Sequence, residues 1–101
     1  MIERRPRVLT DIVEHAEYIG ERSLDAGLRF PDAVEATLAF LERHPGVGAP
    51  RRMRRRPLGG LRSWPVRGFE RHLVFYKRTR GGIVVVRILH AARNIDAALD
   101  E

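Results

Sequence analysis

The side chains with chemistry to offer in this 101-residue sequence are four histidines and nineteen cations, and every cation but Lys77 is arginine. His90 is the best placed of them for proton transfer. Its ordinary pKa lies near neutrality, and it ends an apolar run, Ile83–His90, that would present it at a sheet's end. His72 is the second choice. Arg62, Arg71, Arg87 and Arg93 lie on the segments around these histidines and are the groups that would hold phosphate charge. A strand-end histidine also has a plainer use, in which it hydrogen-bonds backbone and packs beneath a helix. That use is favoured for His90, because alternation puts it on the face of Val84, Val86 and Ile88. Tyr76, mid-strand, and Tyr18, on a helix, read as packing residues. The histidines lack the paired spacing of a metal site and there is no cysteine, so neither a metal nor a cofactor is expected.

A second concentration of charge is the run RRMRRRP, from Arg51 to Pro57. Arg51, Arg52, Arg54, Arg55 and Arg56 form either a solvated loop or a patch facing phosphate or an acidic peptide. Like charges this dense cost stability unless something neutralises them. The whole chain carries a net charge of +6. A GC-rich genome accounts for arginine in place of lysine, but not for the excess of positive charge. That excess points to a polyanion or an acidic protein as partner. No apolar run is long enough to span a membrane and no signal-peptide pattern is visible, so a cytoplasmic protein is expected.

The elements that must position these residues follow from periodicity. Ile2–Arg4 has room for only a short strand. Leu9, Ile12, Val13, Ala16 and Ile19 recur at helical spacing, which predicts a first helix from about Pro6 to Arg22. Ser23 or Asp25 can cap a second helix, with an apolar stripe of Leu28, Val34, Leu38 and Leu41, that stops before Pro45. Pro31 within it predicts a kink, or else a helix that starts only there. His44–Pro50 reads as loop. Leu61–Val66 is a strand that Pro65 confines to an edge or a bulge. His72–Lys77 and Ile83–His90 form a hairpin around Gly81-Gly82, and Asn94 caps a short helix, Ile95–Leu99. The order is (β)ααβββ with a helical tail, one α+β domain over residues 1–101 with a helix hairpin on a small, mostly antiparallel sheet. In the last strand Ile83, Val85, Arg87 and Leu89 share the face opposite Val84, Val86 and Ile88. A strand apolar on both faces is covered on both.

The ordered set Leu41–Gly46, Leu61-Arg62 with Pro65-Val66, His72-Leu73-Val74-Phe75-Tyr76, and Val86-Arg87-Ile88-Leu89-His90 followed by Arg93-Asn94 resembles the RelE/ParE superfamily of toxins from bacterial type II toxin–antitoxin systems. The ParE branch is the closer match, and the resemblance runs from about Pro6 to Leu99. It implies a curved antiparallel sheet and an antitoxin encoded beside the toxin. ParE-branch members act on DNA gyrase, whereas RelE-branch members cut messenger RNA in the ribosome without a metal.

The RelE-type reaction needs groups that activate the ribose 2′-hydroxyl, stabilise a phosphorane and protonate the leaving oxygen. His90, Arg93, Arg62 and Arg71 are the residues that reading would use. The RelE branch also commonly places a tyrosine, or a histidine–tyrosine pair, on the C-terminal segment, together with a lysine-rich surface. Here Asn94–Leu99 holds no aromatic residue and the lysines are absent. The leading expectation is therefore a non-enzymatic toxin that traps gyrase on cleaved DNA, with ribosome-dependent mRNA cleavage as the alternative. A non-toxic nucleic-acid-binding module is the third reading. Trp64 and Phe69 could stack bases in it, although a core or edge role is favoured for both. Arg51–Arg56 and Arg93–Glu101 are the expected target-contacting segments. An acidic, amphipathic antitoxin is expected to lay a helix across the helix hairpin and an extended segment against the sheet, burying Ile83, Val85, Arg87 and Leu89. A second monomer or the chain's own tail would cover the same face.

Overall fold

The structure, a computed structural model, describes residues 1–52 and 59–99. Strand β1 (Ile2–Arg4) leads into helix α1 (Arg7–Arg22) and helix α2 (Leu24–Arg43); β2 (Ala49–Pro50), β3 (Leu61–Val66), β4 (Phe69–Thr79) and β5 (Gly82–His90) follow, then helix α3 (Ile95–Leu99). The five strands form one sheet in the order β1-β5-β4-β3-β2. Its pairs are antiparallel except β1, which runs parallel to β5. The short β2 lies in a stretch whose Pro and Gly content reads as loop. Beyond it the Arg51 N–H donates to the Leu61 carbonyl at 2.8 Å.

The helix hairpin turns on one residue. Ser23 has extended backbone and its Oγ accepts the Ala26 N–H at 3.2 Å, so a single residue ends α1 and caps α2. The helices close tightly because Gly27 meets Gly20. A Cβ on Gly27 would stand 2.7 Å from the Gly20 Cα and from the Ala16 carbonyl oxygen. Helix α2 continues through Pro31, so Leu24–Phe30 is part of the same helix and not a separate turn. Phe30, Val34, Leu38 and Leu41 line its inner side and are fully buried, each worth roughly 1.5–3 kcal/mol of transfer free energy.

Two sequence expectations about faces are corrected. The inner face of α1 is Val8, Asp11 and Ile12, while Leu9 is 71% and Val13 49% exposed. On α2, Leu28 is 70% exposed. Strict alternation also fails in β5. Phe75 pairs with Arg87 but Tyr76 pairs with Val85, so Val86 is an extra residue and the strand bulges there. Ile83, Val85 and Ile88 consequently pack in the main core against the helices. Val86 and Leu89 join Leu61, Phe75 and Ala98 in a second cluster, with Ile95 and Leu99 of α3 packed against it. The face that looked ready for a partner is thus covered by the chain itself, Ile83 and Val85 by the helix hairpin and Leu89 by the tail. Ile83, Val85, Arg87 and Leu89 are all buried within the chain alone.

Candidate functional site

The chemistry of this molecule gathers where α1 crosses the end of β5. Strand β1 pairs only with Ile83–Val85, which leaves the rest of that edge without a strand. Two α1 side chains take its place. Asp11 accepts the Ile88 N–H through Oδ2 at 3.0 Å, and His15 donates Nε2–H to the Ile88 carbonyl at 2.8 Å. The same Asp11 carboxylate takes Arg87 side-on, Nε at 2.8 Å and Nη2 at 2.9 Å, and Arg87 Nη1 donates to the Ala98 carbonyl at 2.8 Å. Both side chains are about 95% buried, their relative exposures being 5% and 4%. Arg87, a candidate for phosphate or antitoxin contact, is therefore a structural cation that ties α1, β5 and α3 together. Sequence reasoning missed Asp11 and His15. The available signal was their spacing of four, in helical phase with Val8 and Ile12.

Behind this edge three imidazoles stand in a row. His15 and His72 have ring centroids 4.8 Å apart, and His72 and His90 are 5.1 Å apart as a cross-strand pair. Phe30 packs on His72 at 5.2 Å. His72 is 5% exposed, and neither of its ring nitrogens has a hydrogen-bond partner. Burial, with the neighbouring His15 and His90, pushes its pKa down to about 4, so it is neutral near pH 7. His90 is half-buried, and its Nδ1 accepts the Ala92 N–H at 3.0 Å. The expectation of a strand-end histidine bound to backbone holds for His90. It also opens onto the surface, in a groove of about 430 Å³ lined by Asp11, Glu14, His15, Tyr18, His90 and Arg93. Tyr18 is 59% exposed there, not a packing residue.

The remaining candidates do not converge on that groove. Arg62 pairs with Tyr76, four residues along β4 from His72, and its Nη1 donates to the Gly46 and Gly48 carbonyls at 3.2 and 2.7 Å. Tyr76 is pinned to the same loop. Its hydroxyl donates to the Pro45 carbonyl and accepts the Gly48 N–H, both at 2.9 Å, and burial raises its pKa. Arg71 is exposed on β4. Arg51 donates Nε–H to Ser63 Oγ at 2.8 Å and lies 5.4 Å from the Phe75 ring centre, on the face away from the helix hairpin. Arg52 is exposed, and Arg54, Arg55 and Arg56 lie outside the described residues. Among the described residues, no three ligating side chains stand together to hold a metal ion and no helix is long and apolar enough to cross a membrane.

No curated protein matches the chain. A family model described as the ParE toxin of the type II toxin–antitoxin system, parDE, matches residues 2–95, which takes in β1, both helices of the hairpin, the whole sheet and the His90–Arg93 groove. With nearly its full length inside that match, the chain belongs to the ParE family of type II toxin–antitoxin toxins.

Proposed function

We propose that this toxin arrests growth by binding DNA gyrase in the cytoplasm and holding it on cleaved DNA, and that it does not cut RNA. The observation that supports this reading is that the ribonuclease candidates do not gather on one surface: of His90, Arg93, Arg62 and Arg71, His90 and Arg93 alone share a groove. Arg87 is held by Asp11, Arg62 holds two loop carbonyls, and His72 is buried without a polar partner. What remains of that set on one surface is His90 with Arg93, joined by Tyr18 and Glu14. Those four groups are the specific support for the ribonuclease alternative, since they include an acid–base candidate and a cation. Arg93, with Arg51, Arg52 and the arginines that follow them, stays the proposed target-facing set.

The antitoxin surface proposed here shifts from β5 to the outside of the helix hairpin. Leu9, Val13, Leu24 and Leu28 are exposed there, and a shallow groove of about 500 Å³ runs between Ala16, Gly20, Gly27 and Leu28. Glu17 and Glu21 line that groove. An amphipathic antitoxin helix fits it with apolar residues inward and basic residues beside the two glutamates, its acidic segments meeting the arginines elsewhere.

Pulse-labelling bacteria just after brief induction of the toxin separates the two activities. The gyrase reading expects DNA synthesis to fail first, with DNA-damage signalling, and His90→Ala to remain toxic. Early collapse of protein synthesis with fragmented messages, abolished by His90→Ala, would establish the ribonuclease instead.

A further inference from the structure

A second groove lies at the opposite edge of the helix–sheet sandwich, between α2 and β3. Its floor is aromatic. Phe40 and Trp64 stack with centroids 5.8 Å apart and planes 25° apart, and His44 extends the row at 4.8 Å from Phe40. Phe40 and Trp64 are half-buried, packed on the main core by one side and open on the other. Arg43 and Arg67 are exposed and line the same groove, whose volume is about 470 Å³. Its one acidic liner, Glu70, is engaged by the Gly68 N–H at 2.6 Å.

A peptide strand is poorly served here. Pro65 has no N–H, and the Arg67 N–H already donates to Thr37 Oγ1 at 3.1 Å. The edge thus lacks the main-chain donors that strand addition uses. Half-exposed aromatic rings with two guanidiniums in the same groove suit a different ligand, a base that stacks while its neighbouring phosphates meet the arginines.

We infer that the Phe40–Trp64 groove between α2 and β3 binds unpaired DNA, stacking a base on the aromatic ledge while Arg43 and Arg67 take the flanking phosphates. The choice of DNA over RNA rests on the gyrase reading, in which the toxin meets DNA opened by the enzyme. The stacking site itself does not depend on it.

Trp64 is the chain's single tryptophan, so its fluorescence reports this groove alone. The experiment titrates the free toxin with oligodeoxythymidylate, the matching oligouridylate, heparin and polyglutamate. Oligodeoxythymidylate is expected to quench Trp64, and the two base-free polyanions are expected to leave its emission unchanged. Arg43→Ala with Arg67→Ala, both on the rim and clear of the core, should flatten the log–log salt dependence by about 1.4, two phosphates' worth on a single strand. Trp64→Ala should weaken binding of a labelled oligonucleotide roughly 5- to 100-fold, and Trp64→Phe should restore it. No quenching, equal quenching by heparin or polyglutamate, or a salt slope unmoved by the double substitution would overturn the site. Tighter binding of oligouridylate would overturn the assignment to DNA. Gyrase inhibition is scored separately on the unaltered toxin and on the double variant, so inhibition by a toxin whose Trp64 shows no oligodeoxythymidylate quenching removes this inference and leaves the gyrase reading standing.

Discussion

At the scale of single residues, the molecule spends its most reactive groups on architecture. Asp11 satisfies a strand N–H and neutralises a buried guanidinium at once. Asp11→Ala would strand Arg87 without its charge partner, and a loss of about 3–5 kcal/mol is expected in urea unfolding. Asp11→Leu combined with Arg87→Met should recover part of it, because an apolar pair removes both desolvation penalties but leaves the Ile88 N–H and the Ala98 carbonyl without their side-chain partners. His72 gives a pH signature. Its folded pKa of about 4 lies below the ordinary value of 6.5. Above that ordinary value both folded and unfolded chains hold it neutral and stability is full. As the pH falls from 6.5 towards 4 the unfolded chain takes up a proton that the folded chain does not, so stability falls, by on the order of 3 kcal/mol across the window. Melting temperatures measured from pH 7 to pH 5 should show this decline, above the range where carboxylates titrate. His72→Leu should flatten it, and an unchanged slope in that variant would contradict the assignment.

At the scale of elements, most of the secondary structure was legible because local chemistry and tertiary structure agree. Ser23 caps α2 and Asn94 Oδ1 accepts the Ala97 N–H at 3.2 Å, both as their types predict. The register shift beside Pro65 matches its missing donor. Two things escaped. Periodicity assumes unbroken alternation, and the extra residue at Val86 exchanges the faces of β5 midway. Hydrophobicity also ranked Leu9 and Val13 as inward residues over Asp11 and His15, although the polar pair is what the unpartnered strand edge requires. The candidate site was legible only in part for the same reason. His90 and Arg93 were found, but the α1 wall of their groove, with Asp11 and His15, was not. The helix hairpin gives a test with opposing terms. Gly27→Ala gains about 1 kcal/mol of helix propensity, but its Cβ would meet only backbone of α1. Overpacking of about 1–3 kcal/mol should win, so chemical denaturation should show a net loss. A more stable variant would mean that the helices part freely.

At the scale of the whole molecule, the sheet is closed by its own chain on both faces, by the hairpin on one and by α3 on the other. Among the described residues most of the exposed large apolar side chains, Leu9, Val13, Leu24 and Leu28 with them, stand on the outer hairpin, which is why that surface is the proposed seat of the antitoxin. Leu9→Glu with Leu28→Glu should leave folding intact, since both side chains are about 70% exposed, while weakening antitoxin binding at least tenfold in titration calorimetry. Unchanged affinity would move the antitoxin to another surface. The proposed gyrase poisoning is read directly with purified toxin, gyrase, ATP and relaxed plasmid. Supercoiling is expected to stop and protein-linked linear DNA to accumulate after detergent treatment, with His90→Ala behaving as the unaltered toxin. Undiminished supercoiling, with messenger RNA cut when ribosomes replace gyrase in the reaction, would contradict it.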